Sequence, residues 1–105
     1  MKIKIYLDDD RIYRNPEDDT WTRVYNYNEF VNQIKENGLP KIISFDHDLS
    51  EEKTGKDCAN FLVDYCIDND LDLPEYKVHS ANPVGKENIL GLLDNYKKFR
   101  NGNGY

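Results

Sequence analysis

The sequence predicts an α/β domain built on a parallel sheet, and three observations predict it. Short runs rich in β-branched and aromatic residues (MKIKIYL, TRVYNY, KIISF and EYKVH) are separated by stretches of polar or helical pattern. Strands alternating with helices in this way imply parallel pairing through right-handed crossovers. A chain of 105 residues, 38% hydrophobic and 12% aromatic, can bury one modest core. One domain is therefore expected over residues 1–100, with residues 101–105 (NGNGY) as a frayed tail.

The elements follow in order. Residues 1–7 (MKIKIYL) read as a strand that ends at the acidic run Asp8, Asp9, Asp10. Residues 11–21 read as a polar loop broken by Asn15-Pro16, and residues 22–27 (TRVYNY) as a second short strand. A helix should follow with Asn28 as its N-cap, Phe30, Val31 and Ile34 facing inward, and Gly38 at its end. Residues 41–45 (KIISF) form the next strand. Thr54 and Asp57 then resemble a capping box at the head of a helix. Ala59, Leu62, Val63, Cys66 and Ile67 recur along it at the spacing of one apolar face. Pro74 precedes a last strand, residues 75–79 (EYKVH). The final helix starts after Asn82 with Pro83 in its first position and turns Ile89, Leu92, Leu93 and Tyr96 inward.

Composition excludes several classes. A formal net charge of −6, with no stripe of Lys and Arg, argues against tracking along duplex DNA, though it leaves room for a small phosphate held by local donors. No apolar run is long enough to cross a bilayer, and the N-terminus lacks the plan of a signal peptide, so the cytosol is the expected location. Cys58 and Cys66 fall two helical turns apart, roughly 12 Å along the axis, beyond disulfide reach. Both read as small apolar residues of a reduced protein.

The chemistry is concentrated where strands end. The first strand runs into LDDDR (residues 7–11), the third into SFDHDL (residues 44–49), and the last into VHSANPVG (residues 78–85). Ligands of open parallel sheets bind beyond the carboxyl ends of the strands, and both histidines of the chain, His47 and His79, lie there. Each piece alone has an ordinary explanation: acidic runs make solvated turns, histidines at strand ends are commonly structural, and Asn-Pro starts helices. Turn chemistry does not account for three such clusters at strand ends that a parallel sheet brings to one edge.

Asp8, Asp9, Asp46 and Asp48 crowded together would repel at about 1 to 4 kcal/mol per pair near 4 Å. A hard divalent ion, or Arg11, Lys56 and protonated histidine, must offset that charge. Mg²⁺ suits the carboxylates, and the histidines extend the range to Mn²⁺ or a zinc-like ion. Ser80 and the amides after Asn82 would cradle a phosphate, with Thr54-Gly55 as a second cradle.

These motifs, LDDDR, SFDHDL followed by Thr54-Gly55, and VHSANPVG followed by Asn88-Ile89, resemble the cyclic-phosphate-processing receiver domain family of small phage and bacterial proteins. The resemblance implies a receiver-like (flavodoxin-like) three-layer sandwich with a short, mostly parallel sheet of about four strands, lacking the fifth strand and its lysine. It also implies that Asp8, Asp9 and Asp46 hold Mg²⁺ and that Ser80 takes the place of the receiver's Ser or Thr after the fourth strand. Cyclic-phosphate processing then rests on His47 and His79.

The expected activity is a phosphodiesterase that opens a cyclic phosphate, of a nucleotide or of an RNA 2′,3′-cyclic end, by acid–base catalysis at the two histidines. Asp46 or Asp48 would orient a histidine or hold metal, and Ser80 stands beside His79. Arg11, Thr54, Gly55, Ser80, Asn82 and Asn88 would bind substrate. Two other readings use the same residues: a non-catalytic module that sequesters a phosphorylated nucleotide, and a receiver-derived interaction domain.

Overall fold

Four parallel strands lie side by side in the order β2-β1-β3-β4. The architecture comes from a computed structural model that describes residues 3–9, 20–49 and 52–100. Its elements are β1 (Lys4–Leu7), β2 (Trp21–Val24), α1 (Tyr27–Asn37), β3 (Ile42–Phe45), α2 (Gly55–Asn69), β4 (Glu75–Val78) and α3 (Pro83–Arg100). Of the expected loop over residues 11–21, residues 11–19 with Arg11 lie outside the described residues, as does the tail 101–105. Trp21 already belongs to β2, and the expected strand over residues 22–27 stops at Val24, with Tyr27 opening α1.

Alternation along the strands separates two chemistries. Ile5, Leu7, Val24, Ile43, Phe45 and Val78 point to one face, where they join Phe30 and Ile34 of α1, Leu62 and Cys66 of α2, and Ile89 and Leu93 of α3 in a single core. All three described helices thus pack on that face. Residues of the other parity, Tyr6, Arg23, Ser44 and Lys77, form one row across the opposite face: Arg23 pairs with Tyr6, Tyr6 with Ser44, and Ser44 with Lys77. The described residues account for two layers of the receiver-like sandwich, sheet and helices; a helical layer on the Tyr6 face is not among them.

The caps follow local chemistry. Thr54 and Asp57 form the expected capping box on α2. The Asn82 side chain accepts the Gly85 N–H at 3.0 Å, which starts α3 with Pro83 in its first turn. Two expectations are corrected. The N-cap of α1 is Asn26, whose side chain accepts from the Glu29 N–H at 2.9 Å, so the helix begins before Asn28. Glu29 returns a carboxylate to the Tyr25 N–H, and this reciprocal pair fixes the earlier start. Ile67 is 56% exposed, because the buried stripe of α2 runs through Cys58, Ala59, Leu62, Val63 and Cys66 and drifts past it near the helix end. Cys58 and Cys66 are buried free thiols. Among the described residues no helix is long and apolar enough to cross a membrane.

Candidate functional site at the carboxyl edge

The ladder continues one residue beyond three strands. The Asp8 N–H donates to Val24 O, Asp46 N–H to Leu7 O, and His79 N–H to Phe45 O, at 3.0, 3.1 and 2.9 Å. Period-two alternation therefore carries over into the strand ends. Asp8 follows Tyr6 in parity, Asp46 follows Ser44, and His79 follows Lys77, so the next row of the same face holds the site residues.

Side-chain contacts bear this out. His79 Nε2 lies 3.2 Å from Asp8 Oδ2, and His79 Nδ1 lies 2.7 Å from Ser44 Oγ. The imidazole stacks on the Tyr6 ring, with centroids 4.4 Å apart and planes 6° from parallel. Ser44 and Tyr6 are 0% and 1% exposed, so the groups that hold His79 are themselves fixed by packing. Asp8, Asp46 and His79 each present a ligand atom within 4.8 Å of the others. Asp9 does not join that group, but its charge reaches it. Burial, then Asp8, then Asp9 push the Asp46 carboxyl from 3.8 up to about 6, against backbone hydrogen bonds from His47 and Asp48.

His47 turns to the helical side. Its Nδ1 lies 2.9 Å from Asp48 Oδ1, and its ring lies against the first turn of α3. A Cβ on Gly85 would stand 2.4 Å from His47 Cγ, so only glycine leaves room for the ring. The backbone of this loop is clamped from α2: Gly55 N–H donates to His47 O at 2.7 Å, and a Cβ at Gly55 would fall 1.9 Å from Asp46 O. The two histidines thus sit on different sides of the sheet edge, with Asp46 adjoining both.

The remaining residues occupy the flanks. Ser80 does not orient His79; its Oγ accepts the Asn82 N–H at 3.0 Å in the turn that leads to α3. Ser44 takes the orienting place, because its parity puts it beneath His79 while Ser80 faces away from the strand row. Thr54 caps α2 and receives Asp57 in return, so the first turn of that helix already has a carboxylate. Asn88 is exposed on α3, one turn beyond Gly85. Sequence reasoning missed Ser44 and Tyr6. A polar residue in the middle of KIISF, in step with Asp46, was the available signal.

Acids after β1 and β3, where the strand order β2-β1-β3-β4 reverses direction, define a receiver-like α/β domain with its site at the topological switch point. The family comparison agrees with that class. The chain belongs to the cyclic-phosphate processing receiver domain family, whose model matches residues 3–95. Searches among curated proteins and solved structures found no match for it.

Proposed function

We propose that this protein is a phosphodiesterase that opens a cyclic phosphate, of a nucleotide or of an RNA end, at the carboxyl edge of its sheet. The observation that carries the reading is the pairing of His47 with Asp48 beside the Asp8–Asp46–His79 group, in a chain of the cyclic-phosphate processing family. The geometry favours a division of labour between the histidines. With Nδ1 held by Asp48, His47 keeps Nε2 for proton transfer, on the side of the ring away from the contact of Cγ with Gly85. It takes a proton from the attacking water as the new P–O bond forms, and the imidazolium is then a proton source for the departing alkoxide. His79 has both ring nitrogens engaged and serves to position the acidic group.

The carboxylates fit a divalent cation, since Asp8 and Asp46 crowd together beside an imidazole, and burial with the charges of Asp8 and Asp9 pushes the Asp46 carboxyl up. When bound there, Mg²⁺ or Mn²⁺ would polarise a phosphoryl oxygen and offset the charge of the phosphate. Ser80, Asn82 and the first turn of α3 would border the ligand on the His47 side, with Arg11, Gly55 and Asn88 as further contacts. The setting is cytoplasmic, where thiols such as Cys58 and Cys66 stay reduced.

The test is a screen of purified protein against cyclic mononucleotides, cyclic dinucleotides and RNA ending in a 2′,3′-cyclic phosphate, with and without EDTA. Turnover lost in His47→Gln is the expected result. A ligand-dependent rise in melting temperature without turnover would instead favour a sequestering module.

A further inference from the structure

We propose that His79 is a metal ligand through Nε2, so that Asp8, Asp46 and His79 form a mixed oxygen–nitrogen site for a first-row transition divalent cation. This rests on the same edge as the phosphodiesterase reading and names the ion it takes. An all-carboxylate site would draw on Asp8, Asp9 and Asp46; among the described residues those that bring ligand atoms together are Asp8, Asp46 and His79, all within 4.8 Å of one another. Ligands around an ion with bonds near 2.0–2.2 Å stand roughly 3–4 Å apart, so small rotations of two carboxylates complete the shell. Asp9 stands outside this group of ligand atoms, though its charge acts on Asp46.

The imidazole is prepared for this role by its buried supports. An ion that replaced the Nε2 proton now shared with Asp8 would take the Nε2 lone pair, and Ser44 Oγ at 2.7 Å would then accept the Nδ1–H. A ligating histidine characteristically donates its other N–H to such a partner, which fixes both tautomer and ring orientation. Tyr6, stacked 4.4 Å below, sets the ring plane. A histidine kept only for packing would have no need of a carboxylate 3.2 Å from its second nitrogen and another beside it. Mg²⁺ demands near-octahedral oxygen coordination and gives up water reluctantly, whereas an imidazole nitrogen shifts preference toward transition ions.

The test uses the metal alone on the full chain, without substrate, so its outcome is independent of phosphodiesterase turnover. Mn²⁺ is titrated into metal-free protein, with Mg²⁺ as competitor, and bound Mn²⁺ is examined by pulsed electron paramagnetic resonance for modulation from a directly bound nitrogen. The chain has two histidines. Nitrogen modulation that persists in His47→Gln therefore identifies His79 without altering it. The expected results are that signal, its loss in His79→Gln, and Mn²⁺ affinity at least about tenfold above that for Mg²⁺. Ser44→Ala should weaken Mn²⁺ binding by about 10- to 100-fold, and Asp9→Asn should leave it near wild type. Absence of nitrogen modulation from the wild type, loss of binding in Asp9→Asn but not in His79→Gln, or no Mn²⁺ binding at millimolar concentration would each overturn the proposal.

Discussion

Ser44 Oγ lies 2.7 Å from His79 Nδ1, in the middle of a strand whose flanking residues Ile43 and Phe45 face the helical core on the other side of the sheet. The hydroxyl is fully buried, so the bond is the reason a polar residue is tolerated there. Ser44→Ala leaves an imidazole nitrogen unpaired at a cost of about 1–3 kcal/mol. A domain of this size loses roughly 4–8 °C in melting temperature per kcal/mol. Calorimetry should show a fall of that order, and nitrogen-15 spectra should show His79 released from a single tautomer.

Asp46 imposes a pH dependence whose sign follows from its raised pKa. Between the ordinary value of 3.8 and about 6, the folded protein holds a proton that the unfolded chain has released. Stability of the metal-free protein should therefore fall as pH rises through that window and level off above it. Asp46→Asn should flatten this part of the profile and raise the melting temperature at pH 7. A melting series from pH 4 to 7 in EDTA checks both; an unchanged slope in the variant would assign the dependence elsewhere.

Gly85→Ala should behave unlike a usual glycine replacement. Alanine in a helix ordinarily gains up to about 1 kcal/mol over glycine, yet here the new methyl would stand 2.4 Å from His47 Cγ. The expected result is a melting temperature that does not rise, with a shifted His47 ring resonance and reduced turnover of any cyclic phosphate that the wild type opens.

His47→Gln should cost about 10² to 10⁴ in turnover, the usual range for loss of a general acid or base. The ring is 17% exposed and lies against the first turn of α3 outside the hydrophobic core, so circular dichroism should show a fold and melting temperature close to wild type. Equal activity in wild type and variant would remove His47 from the reaction.

Thr54→Ala separates a cap from a phosphate contact. Loss of the capping box should reduce stability by about 0.5–2 kcal/mol, read by denaturant unfolding. Ligand affinity should hold once the folded fraction is accounted for, because Asp57 already occupies the first turn of α2. A selective loss of phosphate affinity would restore Thr54 to the binding site.

The fold was legible because its signals are local. The apolar periodicity of α2, the Thr54–Asp57 box and the Asn82-Pro83 start each act within a turn of chain, and each stands where the pattern placed it, Ile67 at the end of α2 excepted. The error at the start of α1 came from two asparagines, Asn26 and Asn28, that satisfy the same cap chemistry; only the return contact from Glu29 to Tyr25 distinguishes them. The site was legible as a set of strand ends but not as a set of contacts. Which side of the edge each histidine takes depends on register across strands, and Ser44 and Tyr6 enter only once β1, β3 and β4 are aligned.

That alignment makes the chemistry as intolerant of insertions as a packed core. Asp46 and His47 are neighbours whose side chains are assigned to opposite sides of the sheet by nothing more than odd and even count from Ser44. One residue inserted between Phe45 and Asp46 would move Asp46 into the place of His47, presenting a carboxylate to the first turn of α3 and giving the newcomer the position beside Asp8, while leaving the hydrophobic segment of β3 intact. A frameshift of function without a loss of fold is thus possible at this single joint. Length variation among functional versions of this domain should be confined to the loops and excluded from the bond after Phe45.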